Sequence, residues 1–311
     1  MWLSVTGHCG LTRRRVGGAA ATVLLGAVTL GGIAPGAEAQ TSSPTASATA
    51  AVNADGCSSP VGQGYWEVAS DGGVFTFGTA GFYGSTGSMH LNAPVVGIAP
   101  SADGRGYWLV ASDGGVFSFG DAPFEGSAGS LHLNSPIVKM VPTADGLGYW
   151  LVASDGGVFS YGDATFYGSM AGMPLNKPVV GIAPTRDGRG YWLVASDGGI
   201  FSFGDAQYHG STGGQPLNEP IVGMSAARNG NGYVLAASDG GAFTFGASGF
   251  LGSLGSIHLN QPIVDIAGTF VGNGYTMSAA DGGIFNFGDS TFCGSTGSIH
   301  LNQPVVGVAS I

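Results

Sequence analysis

From residue 64 onward, short apolar runs alternate with glycine-rich polar breaks, and the whole pattern returns every 42 residues. In the second copy a first run, Val95 to Ala99, follows Asn92-Ala93-Pro94. A second run, Tyr107 to Ser112, sets large residues on both faces, and a third, Val116 to Phe119, does the same. A strand that is apolar on both faces has to be covered on both sides. Between the last two runs lies Ser112-Asp113-Gly114-Gly115, which predicts a hairpin because Asp-Gly tolerates the positive φ of a type I′ turn. A shorter fourth run, Phe124 to Ser127, completes a predicted four-stranded antiparallel sheet, the anatomy of a propeller blade. The turn aspartates are Asp71, Asp113, Asp155, Asp197, Asp239 and Asp281, so six copies follow one another without an insertion. A period of this length is too short for a domain and belongs to propellers, solenoids or arrays.

No helical periodicity follows residue 64, and 59 Gly with 15 Pro punctuate runs of a few residues. Helical solenoids are thereby excluded. The first copy opens at Gly64-Tyr65-Trp66 without the apolar run that precedes this motif elsewhere, and Pro304 to Ala309 supply such a run at the other end. If the two ends share one sheet, six complete units result with no sheet edge left open. An open solenoid calls instead for atypical capping repeats, and none is visible. The expected fold is all-β, a six-bladed β-propeller over 57–311 closed by its C-terminal strand, with a β-solenoid as the alternative.

The first 39 residues read as a signal peptide. Arg13, Arg14 and Arg15 precede an apolar stretch from Val16 to Ile33, and Ala37-Glu38-Ala39 offers small residues for cleavage. The arginines fit an ordinary basic leader and a twin-arginine signal alike. Residues 40–56 are rich in Ser, Thr and Ala and read as a flexible linker. Removing the leader leaves six basic and eighteen acidic residues, a net charge of −12. That sign argues against nucleic acid and against anionic membrane surfaces, and no membrane insertion is expected once the leader is cleaved. The remaining cysteines, Cys57 and Cys293, stand at the two ends of the array, and in an exported chain they are expected to pair.

The motif GYWLVASDGGVFSFGDA resembles the repeat of exported actinobacterial proteins, where it occurs in arrays and beside cell-wall or hydrolase domains. That resemblance spans residues 64–309. The order of apolar strand, aromatic strand and Asp-Gly turn is also similar, over the hairpin alone, to the repeats of chromosome-condensation-regulator and tectonin-type propellers. What the resemblance implies is an exported β-propeller whose common activity is not defined.

Candidate chemistry is sparse because the copies are so alike. Each Asp-Gly-Gly turn has one carboxylate and no Asp-x-Asp spacing, so it reads as turn chemistry in preference to a calcium site. His90, His132, His258 and His300 are a whole repeat or more apart, which is not zinc-ligand spacing. The asparagines at Asn92, Asn134, Asn176, Asn218, Asn260 and Asn302 read as backbone-bonding residues at the start of the first strand. Tyr83, Glu125, Tyr167, His209, Leu251 and Cys293 differ from copy to copy and suggest an exposed position. Trp66, Trp108, Trp150 and Trp192 repeat in four copies and give way to Val234 and Thr276. Packing between blades accounts for them, and a repeated aromatic platform for sugars is the functional alternative that makes them the candidate ligand-binding residues. No catalytic residue, metal site or cofactor is expected. The expected function is a monomeric, secreted or surface-held binding module, multivalent for carbohydrate or a cell-envelope component. A protein-interaction scaffold and a hydrolase with one site at a central channel are the alternatives.

Overall fold

The computed structural model describes Cys57, residues 63–269 and residues 273–311. The expected signal peptide (1–39) and linker (40–56) lie outside the described residues.

The described chain is all-β and forms six three-stranded antiparallel sheets. Each sheet takes a first strand from the PVVGIAP-type run, a middle strand from GYWLVA and a third from VFSFG. Sheet 2 is β3 (Val95–Pro100), β4 (Gly106–Ala111) and β5 (Val116–Gly120). Sheets 3, 4 and 5 repeat it with β6 (Ile137–Pro142), β7 (Gly148–Ala153), β8 (Val158–Gly162), β9 (Val179–Pro184), β10 (Gly190–Ala195), β11 (Ile200–Gly204), β12 (Ile221–Ala226), β13 (Gly232–Ala237) and β14 (Ala242–Gly246). Sheet 6 is β15 (Ile263–Gly268), β16 (Gly274–Ala279) and β17 (Ile284–Gly288). Sheet 1 joins the two ends of the array: β1 (Gly64–Ala69) and β2 (Val74–Gly78) pair with β18 (Val305–Ser310). Trp66 stands opposite Ala309 in the register that sets Trp108 opposite Ala99 in sheet 2. The first strands pack in succession, β3 on β6, then β9, β12, β15 and β18, and β18 packs on β3. The order of sheet contacts thus returns to its start.

The predicted fourth strand is absent: residues 124–127 form no strand. Their backbone is tied to the next sheet instead. Tyr149 donates its hydroxyl to the carbonyl of Gly126 at 2.5 Å and accepts the Glu125 N–H at 3.1 Å. The same latch recurs between every pair of neighbours, and Tyr65 of sheet 1 donates to Gly294 beyond sheet 6. One tyrosine hydroxyl therefore uses up the donor and acceptor that a fourth ladder would have needed.

The Asp-Gly-Gly turn also differs in detail. The Gly72 N–H bonds to Ala69 O and the Ala69 N–H to Gly73 O, giving a three-residue loop in which Gly72 takes a φ of +79°. A type I′ turn has two central residues; here the third loop position carries the left-handed conformation. Asp71 stabilises the loop by accepting the Gly73 N–H at 2.9 Å, and all six turn aspartates do this.

Candidate functional site

The middle strands hold the most buried side chains. Trp66, Trp108, Trp150 and Trp192 are 0–1% exposed. Each lies against the tyrosine of the following sheet with ring centroids 5.3–5.7 Å apart. Each indole N–H bonds to a backbone carbonyl fifteen residues on: Gly81, Pro123, Thr165 and Gln207. An indole enclosed in this way presents no face to a sugar. The structure therefore corrects the candidate ligand set to packing residues, and the reason is that a strand covered on both faces has no exposed side.

Exposed aromatic rings do recur, at a different position. Phe82, Phe124, Phe166, Tyr208, Phe250 and Phe292 are equivalent in the six copies and are 41–63% exposed. They follow the third strand in the segment that was expected to pair as a fourth one. The signal was present in the sequence, since the aromatic recurs in every copy, but a strand assignment hid it among packing residues. Of the neighbouring variable set, Tyr83, Glu125 and Leu251 are exposed as expected, Tyr167 and His209 are half-buried and Cys293 is buried; the rings of Tyr83 and Tyr167 lie tilted or edge-on to Tyr107 and Tyr191 with centroids 5.8 Å apart. Cys293 is disulfide-bonded to Cys57 with the two Cα atoms 5.3 Å apart, as expected. The six asparagines before the first strand are exposed and, among the described residues, make no side-chain hydrogen bond. Their expected backbone-bonding role is not found.

The first strands surround a cavity of about 710 Å³. Its wall includes the equivalent residues Ile98, Met140, Ile182, Met224, Ile266 and Val308. One residue earlier the six copies carry Gly97, Lys139, Gly181, Gly223, Asp265 and Gly307. Glycine lets the strands approach closely: a Cβ on Gly307 would sit 3.4 Å from the Cα of Gly97 and 3.5 Å from an Asp265 carboxylate oxygen. Into the space left by four missing side chains reaches an ion pair between Lys139 and Asp265 at 2.5 Å. Sheets 3 and 6 are three places apart in the cycle, so the pair crosses it. Asp265 also accepts the backbone N–H groups of Ile266 and Val308 at 2.9 and 3.0 Å, which satisfies a nearly enclosed carboxylate.

A second buried carboxyl stands where sheet 1 meets sheet 6. Glu67 is fully buried and accepts hydrogen bonds from Ser278 Oγ at 2.9 Å and Thr296 Oγ1 at 3.0 Å. Burial pushes its carboxyl up to about 8 against the opposing effect of the two hydroxyls. In the other copies its place is taken by Leu109, Leu151, Leu193, Leu235 and Met277. Among the described residues no group of three or more His, Cys, Asp or Glu gathers to hold a metal. No family model matches the chain, and no curated protein matches it in sequence.

Proposed function

We propose that the chain is a six-bladed β-propeller that works as a secreted or surface-held, non-catalytic binding module, engaging carbohydrate or another cell-envelope component at several equivalent sites. The observation that supports this reading is the set of six exposed aromatic side chains, Phe82, Phe124, Phe166, Tyr208, Phe250 and Phe292, one per repeat. A single exposed ring needs no explanation, but the same solvent-facing aromatic in all six copies is a patterned surface. The flat apolar face of such a ring matches the C–H face of a pyranose, and each contact buries apolar area for both. One ring gives weak binding. Several rings on one rigid body raise retention on a polymeric glycan, because every contact after the first is effectively intramolecular. The net negative charge of the chain fits a neutral ligand better than an acidic polymer. The Cys57–Cys293 bond is the chemistry of an oxidising compartment, which supports export.

The test is a calorimetric titration of the intact chain with soluble cell-wall oligosaccharides. More than one equivalent site per chain is expected, and Phe82→Ala, Phe124→Ala and Phe166→Ala combined should roughly halve the stoichiometry while the melting temperature holds, since exposed substitutions change stability little. Absence of saturable binding, or an unchanged stoichiometry in the triple variant, would remove the aromatic set from the function.

A further inference from the structure

Four of the six sheets fill the space between neighbours with an indole, and the other two solve the same space differently. In sheet 6 the tryptophan is replaced by Thr276, and a polar cluster takes over. Thr276 Oγ1 and Ser290 Oγ share a hydrogen bond of 2.7 Å, and Asn286 Nδ2 donates to both. Asn286 Nδ2 also reaches the carbonyl of Thr291 at 3.4 Å. Thr291 stands fifteen residues after Thr276, where the other sheets offer the carbonyl that an indole N–H reaches. An amide has thus replaced the indole as donor.

Sheet 5 has neither. Val234 stands in the tryptophan's place, and the equivalent carbonyl, that of Gly249, receives no hydrogen bond among the described residues. Tyr275 of sheet 6 is positioned as Tyr107, Tyr149, Tyr191 and Tyr233 are, and it makes the same hydroxyl bond to the preceding copy, at Gly252 O. The two alanines that pack on the indole in sheets 2 and 4, Ala99 with Ala122 and Ala183 with Ala206, become Ser225 and Ser248 in sheet 5. Val234, Ser225, Ser248, Gly249 and Tyr275 all line the 710 Å³ cavity that the first strands border. The place vacated by the indole therefore opens into that cavity.

Shortening a buried side chain ordinarily leaves an apolar void that costs stability and stays dry. Here the walls carry the Ser225 and Ser248 hydroxyls and the Gly249 carbonyl, none of which makes a hydrogen bond among the described residues, so the slot has the makings of a recognition site: an opening to the cavity, an aromatic wall and an acceptor at its end. What such a gap fits is shown four times within the same molecule, where a flat ring donates its N–H to the same carbonyl and meets the same tyrosine at 58–61° between ring planes. We propose that the slot of sheet 5 binds a small planar aromatic molecule with a ring N–H, an indole-like heterocycle, which donates to Gly249 O, lies against Tyr275 and extends any substituent into the central cavity. The cavity volume lies within the range that holds small ligands. This site is separate from the exposed aromatics and stands whether or not those bind sugar.

Indole itself is the probe, and equilibrium dialysis of the intact protein is the measurement. One saturable site per chain is expected. N-methylindole keeps the ring and loses the donor, and it should bind roughly tenfold more weakly because a desolvated carbonyl is left without a partner. Val234→Trp should rebuild the arrangement of the other four sheets, raise the melting temperature and reduce indole binding by tenfold or more. Should that variant fail to fold, Val234→Met fills part of the same space and is expected to weaken binding in the same direction. No saturable binding of indole up to millimolar concentration would overturn the proposal. So would equal affinities for indole and N-methylindole, or unchanged binding by a folded Val234→Trp or Val234→Met protein.

Discussion

The junction between sheets 2 and 3 and the junction between sheets 6 and 1 have the same backbone and, at three equivalent positions, opposite chemistry. At the first, Leu151 packs on Val110 and Ala128 in a fully apolar cluster. At the second, the equivalent places hold Glu67, Ser278 and Thr296, joined by two hydrogen bonds. The other four junctions follow the apolar pattern, each setting a Leu or Met against the Val or Ala of the preceding sheet. What distinguishes the polar junction is its covalent distance: it joins residues more than two hundred positions apart, whereas the other five join adjacent repeats. A contact between the ends of a chain carries a larger loop-closure cost than one between neighbours. Here it has a β ladder, a tyrosine latch and the disulfide to hold it. The lesson is that the repeat supplies geometry everywhere, while the junction of sheets 6 and 1 adds directional bonds to an apolar cluster that includes Tyr65, Phe77, Ile284 and Val308.

Removing Pro304 to Ile311 should break that junction with the largest effect of any change considered. It takes away β18, the first strand of sheet 1, together with the Val308 N–H that Asp265 accepts. The melting temperature is expected to fall by roughly 10 °C or more, and the exposed edge of β1 should promote self-association. A truncated protein that melts as the full chain does and stays monomeric in size-exclusion chromatography would contradict the pairing of β18 with β1.

The pH dependence of stability sharpens the comparison. Glu67 has its carboxyl raised from about 4.5 to about 8 by burial, with the Asp281 carboxylate adding a smaller push in the same direction. Its native form therefore holds a proton more tightly than its unfolded form. The stability is fully present below about pH 4.5 and is lost as pH rises through 8, where the buried carboxyl must ionise. The loss approaches roughly 5 kcal/mol as an upper figure. Glu67→Gln should abolish this fall between pH 5 and 9 while keeping the hydrogen bonds. Denaturant titrations across that range check it; a wild-type stability that rises from pH 5 to 9, or falls equally in Glu67→Gln, would contradict the assignment.

A somewhat smaller loss is expected at the ion pair. Lys139→Gly restores the residue of the four glycine copies but leaves Asp265 enclosed without its cation, at a cost of about 3–5 kcal/mol. Lys139→Gly with Asp265→Gly should recover most of that loss, since the second change removes the stranded charge. A double variant no more stable than the single one, by denaturant unfolding, would show that the pair is not the source of the cost.

Much of this fold is legible in the sequence because it is written six times. The period, the three strands, the shared first sheet and the Cys57–Cys293 pair all follow from what recurs and from how the ends complement one another. Of the readings that failed, two show the physical reason most clearly. Phe124 to Ser127 has strand-like residues, but Tyr149 captures its backbone groups before a fourth ladder can use them. The tryptophans look like a sugar platform because tryptophan is the largest flat side chain, yet their strand is covered on both faces, and the exposed rings are the five phenylalanines and Tyr208 that the fourth-strand reading concealed. The residues that make single sites, Glu67, Lys139 and Asp265, went unread for the opposite reason, and Val234 was read only as a missing tryptophan. Each is a departure from the repeat at one copy, and its meaning depends on a partner brought in from elsewhere: Ser278 for Glu67, Asp265 for Lys139, Tyr275 for Val234.

Hydrogen exchange at peptide resolution tests the closing junction most directly. With β1 and β18 paired, their backbone is as well protected as that of β3 and β4, because Trp66 and Val68 pair with Ala309 and Gly307 just as Trp108 and Val110 pair with Ala99 and Gly97. The expected result, at pH 6 with the disulfide intact, is that peptides covering Gly64–Ala69 and Val305–Ser310 exchange as slowly as those covering Val95–Pro100 and Gly106–Ala111. Exchange of the Val305–Ser310 amides at the rate of an unfolded chain, beside slow exchange in Val95–Pro100, would contradict it.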